Sequence, residues 1–157
     1  VKPSDPKVIE LLNDVLTGEL TAINQYFLHG QMCKSWGLNK LYAYLRAESI
    51  DEMKHAEEVV DRILFLEGVP NLQRYFKVRV GETFPEQLEA DLALENEAIP
   101  RLRDAIRYML SIGDDGTRTL LERILVAEEA HVDWIEAQQQ LIAQVGLQNY
   151  LAQQIHP

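Results

Sequence analysis

Two stretches of the chain carry the same acids and histidines in the same register. Glu52 and His55 form a Glu-x-x-His pair, and Glu128 and His131 form another. A further glutamate precedes each pair at the same distance, Glu19 before the first and Glu95 before the second. The interval from Glu19 to Glu95 therefore equals the interval from Glu52 to Glu128. With 16 glutamates and four histidines, roughly 0.4 Glu-x-x-His matches arise by chance, and requiring both upstream glutamates cuts that figure about a hundredfold. The pattern reads as a pseudo-two-fold site assembled from two helix pairs. It demands four segments that turn these residues toward one interior.

Helical geometry permits this. At about 100° per residue, Glu19 falls on a stripe with Leu12, Val15, Leu16, Ile23 and Tyr26. Glu52 falls with Leu41, Leu45, Val59 and Ile63, and Glu128 with Leu121, Ile124 and Ile135. Glu95 shares its stripe with Leu88, Leu92, Ile99, Leu102 and Ile106, and with Asp91 as a second acid. Glu and His at i and i+3 are about 60° apart, so both point inward. Four glutamates thus sit in faces that are apolar apart from Asp91 on the third.

Punctuation residues delimit the helices. Asp5-Pro6 reads as N-cap and first helical position, and Gly37 as the left-handed residue after Trp36. A second helix is expected over 39–67, stopped by Gly68 and Pro70. Thr83-Phe84-Pro85-Glu86 is a capping signal for a third helix running to about Ser111. Pro100 is expected to bend that helix. Gly113 to Gly116 reads as a turn, Gly146 as the end of a fourth helix, and 147–155 as a short fifth. From Gly68 to Thr83 the apolar period is lost. Extended at about 3.3 Å per residue, this connection spans roughly 53 Å, the length of a long helix. The expected fold is all-α: a ferritin-like four-helix bundle with a long crossover between helices 2 and 3 and a short fifth C-terminal helix.

Length and composition agree with one domain over 1–157. A single cysteine excludes an internal disulfide or a Cys₄ metal centre. The N-terminal stretch lacks the apolar core of a signal peptide and no long apolar run occurs, so a cytoplasmic protein without membrane contact is expected. A net charge of −10 disfavours nucleic acid and favours cations. Carboxylates buried without partners are costly unless protonated or metal-bound. No Lys or Arg falls on the four stripes near the six positions, and four carboxylates with two imidazoles suit two iron or manganese ions.

At this point the sequence resembles the bacterioferritins, from Val8 to Ile155. The resemblance rests on ELTAINQYFLH (19–29), WGL (36–38), ESIDEMKHA (48–56), RILFLEGVPNLQ (62–73), DLALE (91–95) and GLQNYLAQQI (146–155). It implies two iron ions per subunit and a ferroxidase that oxidises Fe(II) with dioxygen or peroxide. Glu52 and Glu128 would bridge, Glu19 and His55 would complete one iron, and Glu95 and His131 the other. Tyr26 would stand beside the centre. The resemblance further implies one haem b per two subunits, its iron held by Met53 from each. Leu20, Ile23, Asn24 and Phe27 would line the haem pocket. Met53 lies about 160° around its helix from His55, facing away from the core. A homo-oligomeric shell of 24 subunits built from two-fold dimers is implied, with ferric mineral inside. Haem would aid iron release, with electrons from a small ferredoxin.

Two residues depart from the family pattern. Ala47 stands where some members have a histidine for an iron site on the cavity wall, and Val59 where some have a tyrosine. No chemistry is assigned to His29, Cys33 or His156, and Trp134 reads as packing. Competing functions are a non-haem ferritin, a small di-iron oxygenase or peroxidase, and a metal-free helical module.

Overall fold

The computed structural model describes residues 1–3 and 5–156. Five helices follow in order: α1 (Lys7–Ser35), α2 (Asn39–Phe65), α3 (Phe84–Ile112), α4 (Asp115–Val145) and α5 (Leu147–Ala152). α1 packs on α2 and α3 on α4, and the two hairpins meet through α1–α3 and α2–α4 contacts. The expected all-α architecture, with its crossover and short fifth helix, is what the chain adopts. Pro100 lies inside α3, which is continuous through it on the exposed side.

The caps show how local sequence sets the ends. Thr83 accepts from Glu86 N (3.3 Å), and Glu86 returns its carboxylate to Glu82 N (2.9 Å). Gly37 is left-handed (φ 80°), and Leu38 N reaches back to Cys33 O (2.9 Å) to close α1.

Three expectations need correction, one being the fifth helix, expected over 147–155 but ending at Ala152. Residues 113–116 are not all turn: Asp114 caps α4 through Thr117 N (3.1 Å), so Asp115 and Gly116 are already helical. α2 ends at Phe65 and not at position 67, and Glu67, just before Gly68, takes the left-handed conformation (φ 63°). Gly68 serves packing. A Cβ there would come within 2.7 Å of Ile9 Cδ1 and 3.0 Å of Ile63 Cγ2. Gly116 likewise leaves room for the Arg62 guanidinium.

The crossover is strapped along α1 by polar residues four apart, one per turn on a single face. Asn13 Oδ1 accepts from Asn71 N (2.8 Å), Thr17 Oγ1 from Arg74 Nε (3.0 Å) and Thr21 Oγ1 from Phe76 N (2.9 Å). Gln25 Oε1 accepts from Arg79 N and His29 Nε2 from Gly81 N, each at 3.0 Å. The strap therefore runs the length of α1 and delivers the chain to the start of α3. This makes α3 antiparallel to α1 and carries Glu95 to the level of Glu19.

The apolar core has two lobes. One gathers Leu12, Leu16, Val59, Ile63, Leu102 and Leu121; the other gathers Tyr26, Leu41, Leu45, Leu88 and Ile135. On every long helix the duplicated acid falls between residues of the two lobes, so the six site residues form a polar layer across the middle of the bundle.

Candidate metal centre

Each hairpin contributes one glutamate from its first helix and a Glu-x-x-His from its second. α1 supplies Glu19, α2 Glu52 and His55, α3 Glu95, and α4 Glu128 and His131. All are buried except His55, which is partly exposed. They fall into two overlapping groups, Glu19–Glu52–His55–Glu128 and Glu52–Glu95–Glu128–His131. Within each group the donor atoms lie within 4.8 Å of one another. Glu52 and Glu128 belong to both.

The donors are poorly satisfied by each other. Glu19 Oε2, Glu95 Oε2, Glu128 Oε1, His55 Nδ1 and both ring nitrogens of His131 are buried without a hydrogen-bond partner. Such atoms normally find one, and unpaired buried charge costs several kcal/mol, on the order of 3–5. His55 Nδ1 stands 3.5 Å from Glu128 and 3.7 Å from Glu19 and Glu52. His131 Nδ1 stands 3.5 Å from Glu95. Donors gather into two overlapping groups while these buried atoms find no hydrogen-bond partner, an arrangement that two cations would satisfy. The set fits hard divalent or trivalent ions with oxygen and imidazole donors.

The electrostatics of the metal-free layer agree. Burial, then the charge of Glu19, raises Glu52 well above the ordinary carboxylate range. Burial, then Glu128, does the same to Glu95. Burial raises Glu19, and burial with the charge of Glu52 lifts Glu128 to about 7. For His55 burial opposes the charged ring, but Glu128, Glu19 and Glu52 outweigh it and carry it to about 12. His131 is raised against burial by Glu95.

The surroundings include Tyr26, which the Glu19 stripe already placed here, and residues that periodicity did not reveal. Tyr26 is fully buried, donates its hydroxyl to Glu95 Oε1 and meets the His131 ring edge-on at 4.7 Å. Glu48, one turn before Glu52, reaches within 3.6 Å of His131 Nδ1. Its i,i+4 relation to Glu52 was the available signal. Trp134 stacks on Tyr44 with ring centroids 3.6 Å apart. Asp91 shares the Glu95 stripe but serves the crossover, accepting from Gln25 Nε2 and pairing with His29 Nδ1, both at 2.9 Å. Because Gly81 N donates to His29 Nε2, the ring proton sits on Nδ1 and points at Asp91. Cys33 is buried, with Sγ donating to Gln87 Oε1 (3.3 Å), and His156 is exposed. A basic residue does approach the layer: Arg101 of α3 lies off the four stripes, yet its guanidinium folds across Gly18 toward the same cavity as Glu19.

The residues assigned to a second group by resemblance lie elsewhere. Met53 is 58% exposed and Phe27 54%, with Ile50 and Asn24 also exposed and Leu20 and Ile23 half-buried. Ser49 Oγ donates to Ile23 O (2.9 Å), which lays the 20-23-24-27 stripe of α1 beside the α2 turn that carries Met53. A hydrophobic surface with an exposed thioether is thereby presented outward. Ala47 is exposed and Val59 fully buried.

Comparison with known proteins identifies the family. The family model described as a ferritin-like domain matches residues 9–145. A bacterioferritin of Mycolicibacterium paratuberculosis is 52% identical over 149 residues, covering 95% of this chain and 94% of the relative. One of Streptomyces coelicolor is 51% identical over 148 residues (94% and 89%), and one of Rhodobacter capsulatus 45% over 146 (93% and 91%). A Glu…Glu-x-x-His layer inside a crossover bundle and near-full-length likeness lead to one conclusion: this chain belongs to the bacterioferritin family of ferritin-like proteins.

Proposed function

We propose that this chain is an iron-storage subunit that oxidises Fe(II) at a di-iron centre within its own bundle. The observation that carries the reading is the pair of overlapping donor groups with unsatisfied buried atoms. Glu19 and His55 would hold one iron and Glu95 and His131 the other, with Glu52 and Glu128, which belong to both donor groups, shared between them. Two Fe(II) ions supply the two electrons taken up by dioxygen or peroxide. The chain's part is to fix donors in advance. Oxygen ligands favour the harder ferric ion, and four carboxylates balance the charge of two divalent ions. Tyr26 holds Glu95 in place through its hydroxyl. The −10 charge concentrates Fe(II) around the protein.

The family resemblance supports a 24-subunit shell and a haem b between two-fold partners. Met53 of each chain would hold the haem iron through a soft thioether, and Leu20, Ile23, Asn24 and Phe27 would line its pocket. Haem would pass electrons inward from a small ferredoxin to release stored iron. Among the described residues no helix is long and apolar enough to cross a membrane.

Adding Fe(II) to the assembled protein while recording its optical spectrum tests both groups. A ferric band that grows in wild type and fails in Glu128→Ala supports the centre; unchanged iron content and oxidation in the variant refute it. A Soret band lost in Met53→Leu supports the haem. A wild-type chain that never takes up haem makes it a non-haem ferritin. A particle near 24 times the 18.0 kDa chain mass supports the shell, whereas monomer or dimer mass favours the small oxygenase or peroxidase.

A further inference from the structure

The two sides of the metal layer differ in charge. Between α2 and α4 lies a cleft of about 390 Å³ in which Glu48, Asp51 and Glu58 outnumber Lys54, and both site histidines reach its wall. The α1–α3 side is closed. The space there is about 10 Å³, no more than one water, and is the interior of the metal site itself. Apart from the site's four glutamates, its walls are small or apolar, among them Val15, Ala22, Leu94 and Ala98. The exception is Arg101, among the described residues the one charged side chain lining this side that is not a site donor.

Three elements hold the Arg101 guanidinium in place. α3 carries it. The crossover supplies Phe76, whose ring lies under the guanidinium at 4.3 Å and whose N–H is tied to Thr21 Oγ1 of α1 (2.9 Å). α1 leaves a gap at Gly18, where a Cβ would stand 2.6 Å from Nη1. Glycine inside a helix is disfavoured against alanine, and room for the guanidinium is what position 18 gains from it. The acids nearby are taken: Arg79 holds Glu97 at 2.7 Å, and Arg74 holds Asp14. Among the described residues Arg101 itself makes no hydrogen bond or ion pair. Its charge is therefore not cancelled by a partner, and it is half-buried, where a charge acts more strongly than in water. A divalent cation approaching between α1 and α3 meets that charge on an apolar rim that offers nothing in place of its water shell. One approaching between α2 and α4 meets carboxylates.

We propose that Arg101 is a charge plug: it closes the α1–α3 side of the metal layer to divalent cations, so that metal enters and leaves through the α2–α4 cleft. The proposal rests on the di-iron reading above. Gly18 and Phe76 are positioning residues for the plug.

The test follows Co(II) uptake by the assembled, metal-free protein through its visible absorption. Asp51→Asn combined with Glu58→Gln should slow uptake about three-fold, since the cleft is the route. Arg101→Met, which keeps the stem over Phe76 and removes the charge, should load about ten-fold faster than wild type. Added to the two cleft changes, it should restore the lost rate. Arg101→Lys, which keeps the charge, should load like wild type. Final Co(II) stoichiometry and spectrum should be the same in all of them, because no site donor is altered. If Arg101→Met does not assemble, Arg101→Gln removes the same charge. The proposal is overturned if the uncharged variants load at the wild-type rate, if Arg101→Lys loads as fast as they do, or if the cleft changes leave uptake unaltered. Wild type that takes up no Co(II) refutes the di-metal reading, and the proposal falls with it.

Discussion

Glu128→Gln offers a direct measure of what the metal layer costs the empty protein. Glu128 is 2% exposed, and burial with the charge of Glu52 lifts its carboxyl from 4.5 to about 7. A raised carboxyl means that ionisation is penalised in the folded chain and not in the unfolded one. Below about pH 4.5 both states are protonated and the penalty is absent. It grows between 4.5 and about 7 and is constant above. A shift of this size corresponds to about 3 kcal/mol at pH 8. The amide keeps the shape and removes the charge. Metal-free Glu128→Gln should therefore melt above metal-free wild type at pH 8, by about 6–12 °C for a chain of this length. The gain should vanish at pH 4. With Co(II) present the order should invert, because only wild type retains both donor groups and is stabilised by binding. Thermal melts of stripped and loaded protein at the two pH values make the comparison. A metal-free variant less stable than wild type at pH 8, or a gain of equal size at pH 4, would show that Glu128 is not a strained ligand waiting for a cation.

Other consequences follow from the same geometry. Loading two Co(II) ions per chain at pH 6 should release more protons than at pH 8, since Glu128 titrates near 7 and Glu52 and Glu95 lie above the ordinary range; an indicator dye reads this, and equal release at both values contradicts it. His29→Ala leaves Asp91 and Gly81 N without their partner, and should cost about 2–4 kcal/mol in denaturant melts with metal stoichiometry unchanged. Gly68→Ala should cost about 1–3 kcal/mol by crowding Ile9 and Ile63. A fully stable Gly68→Ala protein would mean that Gly68 is not needed for this close approach.

Much of the molecule is written in local pattern. The four long helices, the capping box at Thr83, the left-handed Gly37 and all six residues of the buried Glu/His layer follow from spacing along the chain. A helix is rigid and its period fixed, so the repeated intervals from Glu19 to Glu52 and from Glu95 to Glu128 already determine which side chains face one another once four helices pack. Met53 could be placed outward for the same reason. What resisted reading depends on which surfaces meet. The row Asn13, Thr17, Thr21, Gln25 and His29 has a helical period, but nothing local says that a crossover lies on it. Gly68 looked like a helix stop because glycine commonly plays that role. Its reason is the approach of Ile9, which belongs to the first turn of a different helix. Arg101 lies off every apolar stripe and enters the site only because its long side chain crosses the empty space at Gly18. Short-range periodicity therefore suffices for the helices and for the six donors. The strap, the close glycines and the cap over the cavity rest instead on contacts between residues far apart in the chain, which no local pattern encodes.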